Sequence, residues 1–304
     1  MPNRNVADAT LKAPFPYFGG KKRAASLVWD RFGNVPNYVE PFCGSCAMLL
    51  SRPTEAKTET INDASGFIAN FWRALQRDPD GVAGWADYPV SELDLIARNR
   101  WLQAQGEFLQ RMKTDPDYFD AKIAGWWVWG KCAWIAEGWC REDAEQLPHL
   151  GNPGMGINRR LPHLGDPSRG EYIRDYFEAL AARLRDVRIA CGDWQRVTGP
   201  TITWRFGVTG VFLDPPYYTD NSDPYCQKCD PADVAAWCIE SGDNPLMRIA
   251  LCGYEGGYEM PADWECVPWK TAGGYGSQGN GRGKANAHRE RIWFSPHCQQ
   301  TELF

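Results

Sequence analysis

Residues 210–217 read Gly210-Val211-Phe212-Leu213-Asp214-Pro215-Pro216-Tyr217, an apolar run that stops at an aspartate, two prolines and a tyrosine. A short apolar run bounded by prolines has the length and composition of a buried strand. Consecutive prolines fix φ and donate no N–H, so the chain leaves the strand in a rigid turn. In an open parallel sheet this position, the carboxyl end of a strand, is where ligands bind.

The same strand-then-turn grammar extends in both directions. Upstream, Pro16-Tyr17-Phe18-Gly19-Gly20-Lys21 leads into a helical stretch marked by Leu27, Val28, Arg31 and Phe32. Tyr38-Val39-Glu40 reads as a strand ending at Pro41, and Ala47 to Leu50 as the start of a helix. Thr60-Ile61-Asn62-Asp63 reads as a second strand. Ile68, Phe71, Trp72 and Leu75 then recur at i, i+3, i+4 and i+7, the helical period. After an interruption, Ile173, Phe177, Leu180 and Leu184 predict a helix and Val187 to Cys191 a third strand.

Downstream, Asp230 caps a predicted helix with Pro231 at its first position, Val234, Trp237 and Cys238 on its inner side, and Gly242 past its end. Arg248 to Cys252, Trp264 to Val267 and Arg291 to Phe294 complete the strands, the last two joined by a glycine-rich loop, Gly273 to Gly283. Alternating strands and helices predict an α/β fold with a Rossmann-like parallel sheet and crossover helices.

The interruption spans residues 81–170 and predicts an inserted, mainly helical module between two parts of one domain, 1–80 and 171–304. It contains two helical segments and the tryptophan-rich stretch Trp126 to Trp139, which reads as the insertion's core. An irregular loop pair follows, in which Leu147 to Pro153 recurs almost unchanged as Leu161 to Pro167. That repeat is too short for a solenoid.

Bulk composition narrows the setting. A chain of 304 residues, 43% hydrophobic, can bury a sizeable core. Its 11 cysteines are irregularly spaced and no signal peptide precedes them, so they read as reduced thiols in a cytoplasm. No run is apolar enough for a membrane span, since the best candidate, Ile123 to Trp139, carries Lys131 and Glu137. A net charge of −5 disfavours an indiscriminate nucleic-acid coat, yet two segments are locally basic. One runs from Lys270 to Arg291 with Glu290 as its single acid; the other holds Arg159, Arg160, Arg169 and Arg174. A monomer or a weak dimer is compatible with these features.

The Asp214 turn suggests chemistry on an amine. A carboxylate and a backbone carbonyl converging on one point each accept one N–H of a primary amine, and Tyr217 offers a flat face for a planar base. The exocyclic amine of adenine is a poor nucleophile because its lone pair is delocalised. Two acceptors favour the pyramidal nitrogen that attacks a sulfonium methyl, a task of positioning and electrostatics. Three further strand-end signals accompany it. Glu40-Pro41-Phe42-Cys43-Gly44-Ser45-Cys46 lets backbone approach a ligand at its glycine. Asp63 sits where dinucleotide folds bind ribose hydroxyls. Asp193 lies beside an aromatic, Trp194, that could cover an adenine ring.

This order of motifs resembles the Dam-type family of DNA adenine methyltransferases, the α-class amino-methyltransferases. The match runs through Tyr17-Phe18-Gly19-Gly20-Lys21, Glu40 to Cys46, Asn62-Asp63, Asp193-Trp194 and Asp214 to Tyr217, and includes the basic, glycine-containing segment Trp269 to Ile292. The resemblance implies S-adenosylmethionine as cofactor, double-stranded DNA as partner, no metal, and residues 81–170 as a target-recognition module. It implies that Tyr17, Gly20, Lys21, Glu40, Pro41, Phe42, Gly44, Ser45, Asp63, Asp193, Trp194 and Asp214 line the cofactor pocket. It further implies that Asp214, Pro215, Pro216 and Tyr217 hold an adenine turned out of the duplex, since its amine is otherwise paired and stacked. Arg159, Arg160, Arg169, Lys270, Arg282 and Lys284 are then the expected phosphate contacts. One departure stands out: Cys46 occupies the family's second glycine, so the turn must avoid positive φ there or bear strain. The insertion is unlike the common recognition module, and no target sequence carries over.

Other chemistries fit less well. The P-loop spacing is absent around Gly19-Gly20-Lys21. Cys226 and Cys229 have metal-ligand spacing but make half a site. No Ser/His/Asp or Cys/His arrangement is evident, nor a Pro-Cys nucleophile for cytosine C5 chemistry. N4-cytosine methylation shares the amine chemistry, although this motif form leans to adenine. Methylation of a protein glutamine amide is opposed by the insertion and the basic segment. A catalytically dead DNA-binding homologue is opposed by intact Asp214 and Tyr217, with Cys46 the residue in its favour.

Overall fold

A computed structural model describes residues 11–17, 21–54, 57–134, 139–140, 169–216, 229–269 and 288–299. By packing the chain forms two units: one of Met1–Phe18, Gly66–Arg185 and Gly274–Arg282, the other of Gly19–Ser65, Asp186–Gly273 and Gly283–Phe304.

The second unit is a seven-stranded sheet. Its strands are β1 (Asn37–Glu40), β2 (Thr58–Asp63), β3 (Arg188–Cys191), β4 (Thr209–Leu213), β5 (Met247–Tyr254), β6 (Glu265–Pro268) and β7 (Glu290–Phe294). Their spatial order is β3-β2-β1-β4-β5-β7-β6. The first five are parallel, with Val39 in register with Thr60 on one side and Val211 on the other. Strand β7 runs antiparallel to both β5 and β6. This is the predicted Rossmann-like methyltransferase sheet. Strand order reverses between β1 and β4, which makes the crevice beyond their carboxyl ends the switch point for ligands.

Strands β1 and β4 are buried throughout, β4 as its apolar run predicts. Helices α1 (Ala25–Phe32) and α9 (Pro231–Gly242) both pack on β5. Val39, Val211, Leu213, Ile249 and Leu251 form one core with Val234 and Cys238 of α9. Asp230 caps α9 by accepting the Ala232 amide at 2.9 Å, and Pro231 takes the first position. Gly242 is the last residue of that helix, one position inside the predicted end, and a Cβ there would lie 2.5 Å from the Trp264 indole. A short helix, α2 (Ala47–Leu50), follows β1.

The first unit is helical. It comprises α3 (Gly66–Arg77), α4 (Pro79–Ala86), α5 (Glu92–Gln103), α6 (Phe108–Thr114), α7 (Ala121–Ala133) and α8 (Arg169–Leu184). Ile68, Phe71, Trp72 and Leu75 of α3 and Ile173, Phe177, Leu180 and Leu184 of α8 are all buried, so both predicted stripes face the core. Asp78, Ser91 and Asp120 cap α4, α5 and α7 through the amides of Gly81, Asp94 and Ile123. Asn70 straps α3 to the start of α7, accepting from the Asp120 amide and donating to its carbonyl at 3.0 and 2.9 Å. Gly125 admits α4 onto α7, since a Cβ would meet the Val82 carbonyl at 2.7 Å.

Three helices, α4 to α6, precede the tryptophan-rich helix where two were expected. The buried face of α5 includes Arg98 and Asn99 beside Leu95 and Leu102, which breaks the hydrophobic period. Arg98 lies 4.2 Å from the rings of both Tyr88 and Trp129, and Asn99 accepts the Cys140 amide at 2.8 Å. Trp127, Trp129, Trp134 and Trp139 are buried. Among the described residues no helix is long and apolar enough to cross a membrane.

Candidate active site

The carboxyl edge of the sheet collects the chemistry. Strand β1 ends at Glu40, β2 at Asp63, β3 is followed by Asp193, and β4 by Asp214. Because β7 is antiparallel, its first residue, Glu290, also reaches this edge, opposite Tyr254 of β5. Trp269 follows the end of β6 and donates its amide to the Glu290 carbonyl at 3.3 Å. Topology alone therefore converges residues from six strands.

Lys21, in a single 3-10 turn before α1, points into this group. Its ammonium lies 3.0 Å from Oδ1 of Asp214 and 3.8 Å from Oε2 of Glu290, and 5.2 Å from the Trp269 ring centre. The side chains of Lys21 and Glu290 are 6% and 7% exposed, that of Asp214 19%. Burial is the largest single effect on the Lys21 pKa and pulls it down; Asp214, Cys252 and Glu290 together outweigh it and hold the ammonium above its ordinary range. Pro215 is buried and Pro216 half-buried.

Glu40 is tied into the frame. Its Oε2 accepts the Tyr38 hydroxyl at 3.0 Å and the Leu49 amide of α2 at 3.2 Å. Burial pushes its pKa up to about 8; the bonds from Tyr38 and Leu49 pull the other way, and the charges of Asp214 and Glu59 add to the rise.

The turn after β1 is braced from β2. Asp63 accepts the Gly44 amide at 3.0 Å through one oxygen and the Ser65 amide at 2.8 Å through the other. Asn62 donates to the carbonyls of Pro41 and Gly192, both at 3.0 Å, and so clasps the ends of β1, β2 and β3. Gly44 has φ 44° and Cys46 φ 53°, so the turn needs two left-handed residues and Cys46 bears the conformation that glycine adopts without strain. Cys43 and Ser45 are buried in the same turn.

Asp193 is exposed and caps a 3-10 turn, Trp194–Val197, through the Gln195 amide at 2.8 Å. Trp194 is buried in the core, its ring 6.4 Å from Phe42 and 6.0 Å from Trp237. Tyr17 belongs to the helical unit, where its half-exposed ring meets Phe15 and Lys131. Gly20, Tyr217, Arg159, Arg160, Lys270, Arg282 and Lys284 lie outside the described residues; Arg169 opens α8. Cys226 also lies outside them. Among the described residues no three His, Cys, Asp or Glu side chains are grouped to hold a metal.

Sequence reading alone missed Glu290 as a member of the group. The usable signal was alternation: Glu290, Ile292 and Phe294 share the buried face of β7, and a carboxylate on such a face needs a partner.

What the assembled edge can do chemically is hold a cationic or amine-bearing ligand against clustered carboxylates at a switch point. Residues 17–118 match the family model of D12 class N6 adenine-specific DNA methyltransferases. That stretch includes Lys21, Glu40, the turn to Cys46 and Asn62-Asp63, and continues through α6. No curated protein matches the chain. The sheet order and the strand-end carboxylates agree with this match: over residues 17–118 the chain is similar to the D12 class of N6 adenine-specific DNA methyltransferases, enzymes that methylate the N6 amine of adenine in DNA.

Proposed function

We propose that the chain transfers a methyl group from S-adenosylmethionine to the N6 amine of an adenine turned out of double-stranded DNA, at sites read by residues 81–170. The observation that carries the reading is the Asp214 carboxylate, held at the end of β4 beside the switch point by the buried ammonium of Lys21.

The residues at the edge fit the cofactor. Asp63 has about four acceptor positions, enough to brace the turn and receive ribose hydroxyls. The amide-rich turn from Pro41 to Cys46 lies against it. Asn62 Oδ1 is buried without a hydrogen-bond partner, an acceptor suited to a donor-bearing ligand. Phe42 and Trp194 supply aromatic surface beside the exposed carboxylate of Asp193. When bound, the cofactor supplies a methyl group on positively charged sulfur.

The chain's own work is positional. Asp214 accepts one amine hydrogen and orients the nitrogen lone pair toward the methyl carbon. Pro215 and Pro216 keep the turn rigid, so little reorganisation accompanies the reaction. Tyr217 stacks on the base. Carboxylates at the edge favour the positive charge that grows on the nitrogen as it accepts the methyl group. Phosphate contacts come from Arg159, Arg160, Arg169, Lys270, Arg282 and Lys284, which set register while the insertion reads bases.

The test is incubation of the full chain with tritiated S-adenosylmethionine and unmethylated duplex DNA, followed by nucleoside digestion and chromatography. Label in N6-methyldeoxyadenosine is expected. Label in N4-methyldeoxycytidine would transfer the mechanism to cytosine, and cofactor-dependent stabilisation without label in DNA would overturn the substrate assignment.

A further inference from the structure

We propose that Glu290 is a positioning residue for methyl transfer: its carboxylate anchors the Lys21 ammonium, and through it fixes the Asp214 carboxylate at the end of β4. The proposal rests on the reading of Asp214 as the group that holds the amine.

Three observations carry it. The first is geometry. Lys21 Nζ lies between the two carboxylates, 3.0 Å from Asp214 and 3.8 Å from Glu290, in a site where all three side chains are largely buried. The second is charge. Beside Asp214, the Lys21 ammonium has a second buried carboxylate, that of Glu290, within 4 Å. Stability does not ask for this, because each buried carboxylate carries a desolvation penalty and an apolar residue on β7 would pack without one. The third is the surround. The Trp269 ring, 5.2 Å from Nζ, covers the ammonium, and its buried indole N–H has no hydrogen-bond partner. The group is thus built around Lys21 on an edge where a ligand is expected, with a donor left over.

The extra carboxylate has a chemical use. In the transfer the amine nitrogen's lone pair forms the new N–C bond, the pair of the breaking C–S bond stays on sulfur, and a proton is then lost from nitrogen to water. Positive charge passes from sulfur to nitrogen during that step. Lys21 alone would oppose this and would draw electron density from Asp214. Glu290 offsets the ammonium, so Lys21 orients Asp214 without cancelling its charge.

The experiment compares Glu290→Gln, Lys21→Met and the double variant in the full chain. It measures kcat and KM for duplex DNA, together with the thermal shift on adding S-adenosylmethionine. Glu290→Gln is expected to lower kcat about 10- to 100-fold, the scale on which losing a partner that orients a metal ligand acts. KM for DNA and the cofactor-induced shift should stay near wild type. In the Lys21→Met background the same substitution should change kcat by less than about two-fold, since an indirect effect disappears with its intermediary.

An unchanged kcat in Glu290→Gln, or an undiminished effect in the Lys21→Met background, overturns the proposal. If Glu290→Gln does not fold, the double variant still decides, because it removes the ammonium as well and leaves Asp214 as the remaining ion of the three; it must then match Lys21→Met in kcat. A wild-type chain that binds the cofactor but methylates no DNA overturns the underlying reading and the proposal together. An active wild type with an indifferent Glu290 overturns the proposal alone.

Discussion

Oδ1 of Asp214 is 3.0 Å from Nζ of Lys21, so the strand-end carboxylate is an ion-paired group with a fixed direction. Replacing Asp214 by Asn keeps its shape and removes its charge. Losing one partner of a buried pair costs about 3–5 kcal/mol when the other is stranded. Here Glu290 stays within 3.8 Å of Lys21, so a smaller loss is expected, about 2 kcal/mol in denaturant unfolding. Methylation of DNA should fall at least about 100-fold, the scale of removing a preorganised electrostatic partner. Affinity for duplex DNA, measured by fluorescence anisotropy, should change little. An Asn variant that methylates at the wild-type rate would remove Asp214 from the chemistry.

Cys46 tests what the turn after β1 requires. It is fully buried with φ 53° and ψ 28°, a conformation that costs a non-glycine residue about 1–2 kcal/mol. Cys46→Ala keeps that cost and loses the buried sulfur. Cys46→Gly loses more side chain and gains unfolded-state freedom worth about 0.5–1 kcal/mol, yet relieves the backbone. The two losses offset, and urea unfolding should find the Gly variant at least as stable as the Ala variant. At a buried position with ordinary φ the order is reversed, so a Gly variant clearly below Ala would show that the strain is absent.

These two sites also mark what the sequence makes legible. Asp214, Asp63 and Glu40 were readable because each ends its own predicted strand, and an α/β sheet brings such ends to one edge whatever the details of packing. Glu290 was not, because its place depends on β7 inserting antiparallel between β5 and β6, a pairing between distant segments with no local signature. Helix α5 was blurred for a different reason. Its inner face carries Arg98 and Asn99, satisfied by rings and by a backbone amide from other segments, so hydrophobic periodicity fails where the packing is polar. The positive φ of Cys46 was legible only as a choice between strain and avoidance, and backbone geometry settled it.

Asp63 serves the turn with both oxygens, so its substitutions should separate in stability but not in ligand binding. Asp63→Ala leaves the Gly44 and Ser65 amides without their acceptor, at about 1–3 kcal/mol for each buried donor. Asp63→Asn keeps one carbonyl oxygen and can serve one of the two. Melting temperatures should therefore fall in the order wild type, Asn, Ala. Both variants should lose the stabilisation that S-adenosylmethionine gives the wild type, because ligand that binds the native state raises its melting temperature and lost affinity abolishes the rise. An Ala variant with a wild-type melting temperature and a full cofactor shift would contradict both roles.

Glu40 makes stability depend on pH in an unusual direction. Its folded-state pKa is pushed up to about 8 from an ordinary 4.5, chiefly by burial. Between those values the native chain holds a proton that the unfolded chain has released, so the unfolded state binds fewer protons and stability falls as pH rises. The contribution is complete below the ordinary carboxyl pKa, declines through the window, and is gone once pH passes the folded value. Most paired carboxylates act oppositely and add stability as pH rises. Glu40→Gln, a neutral isostere that can still accept from Tyr38 and the Leu49 amide, should remove this slope. Melting temperatures of wild type and variant should lie close together near pH 5.5, and the variant should gain on the wild type by pH 8.5. If their difference stays constant across that range, Glu40 is ionised in the folded chain and the burial argument fails.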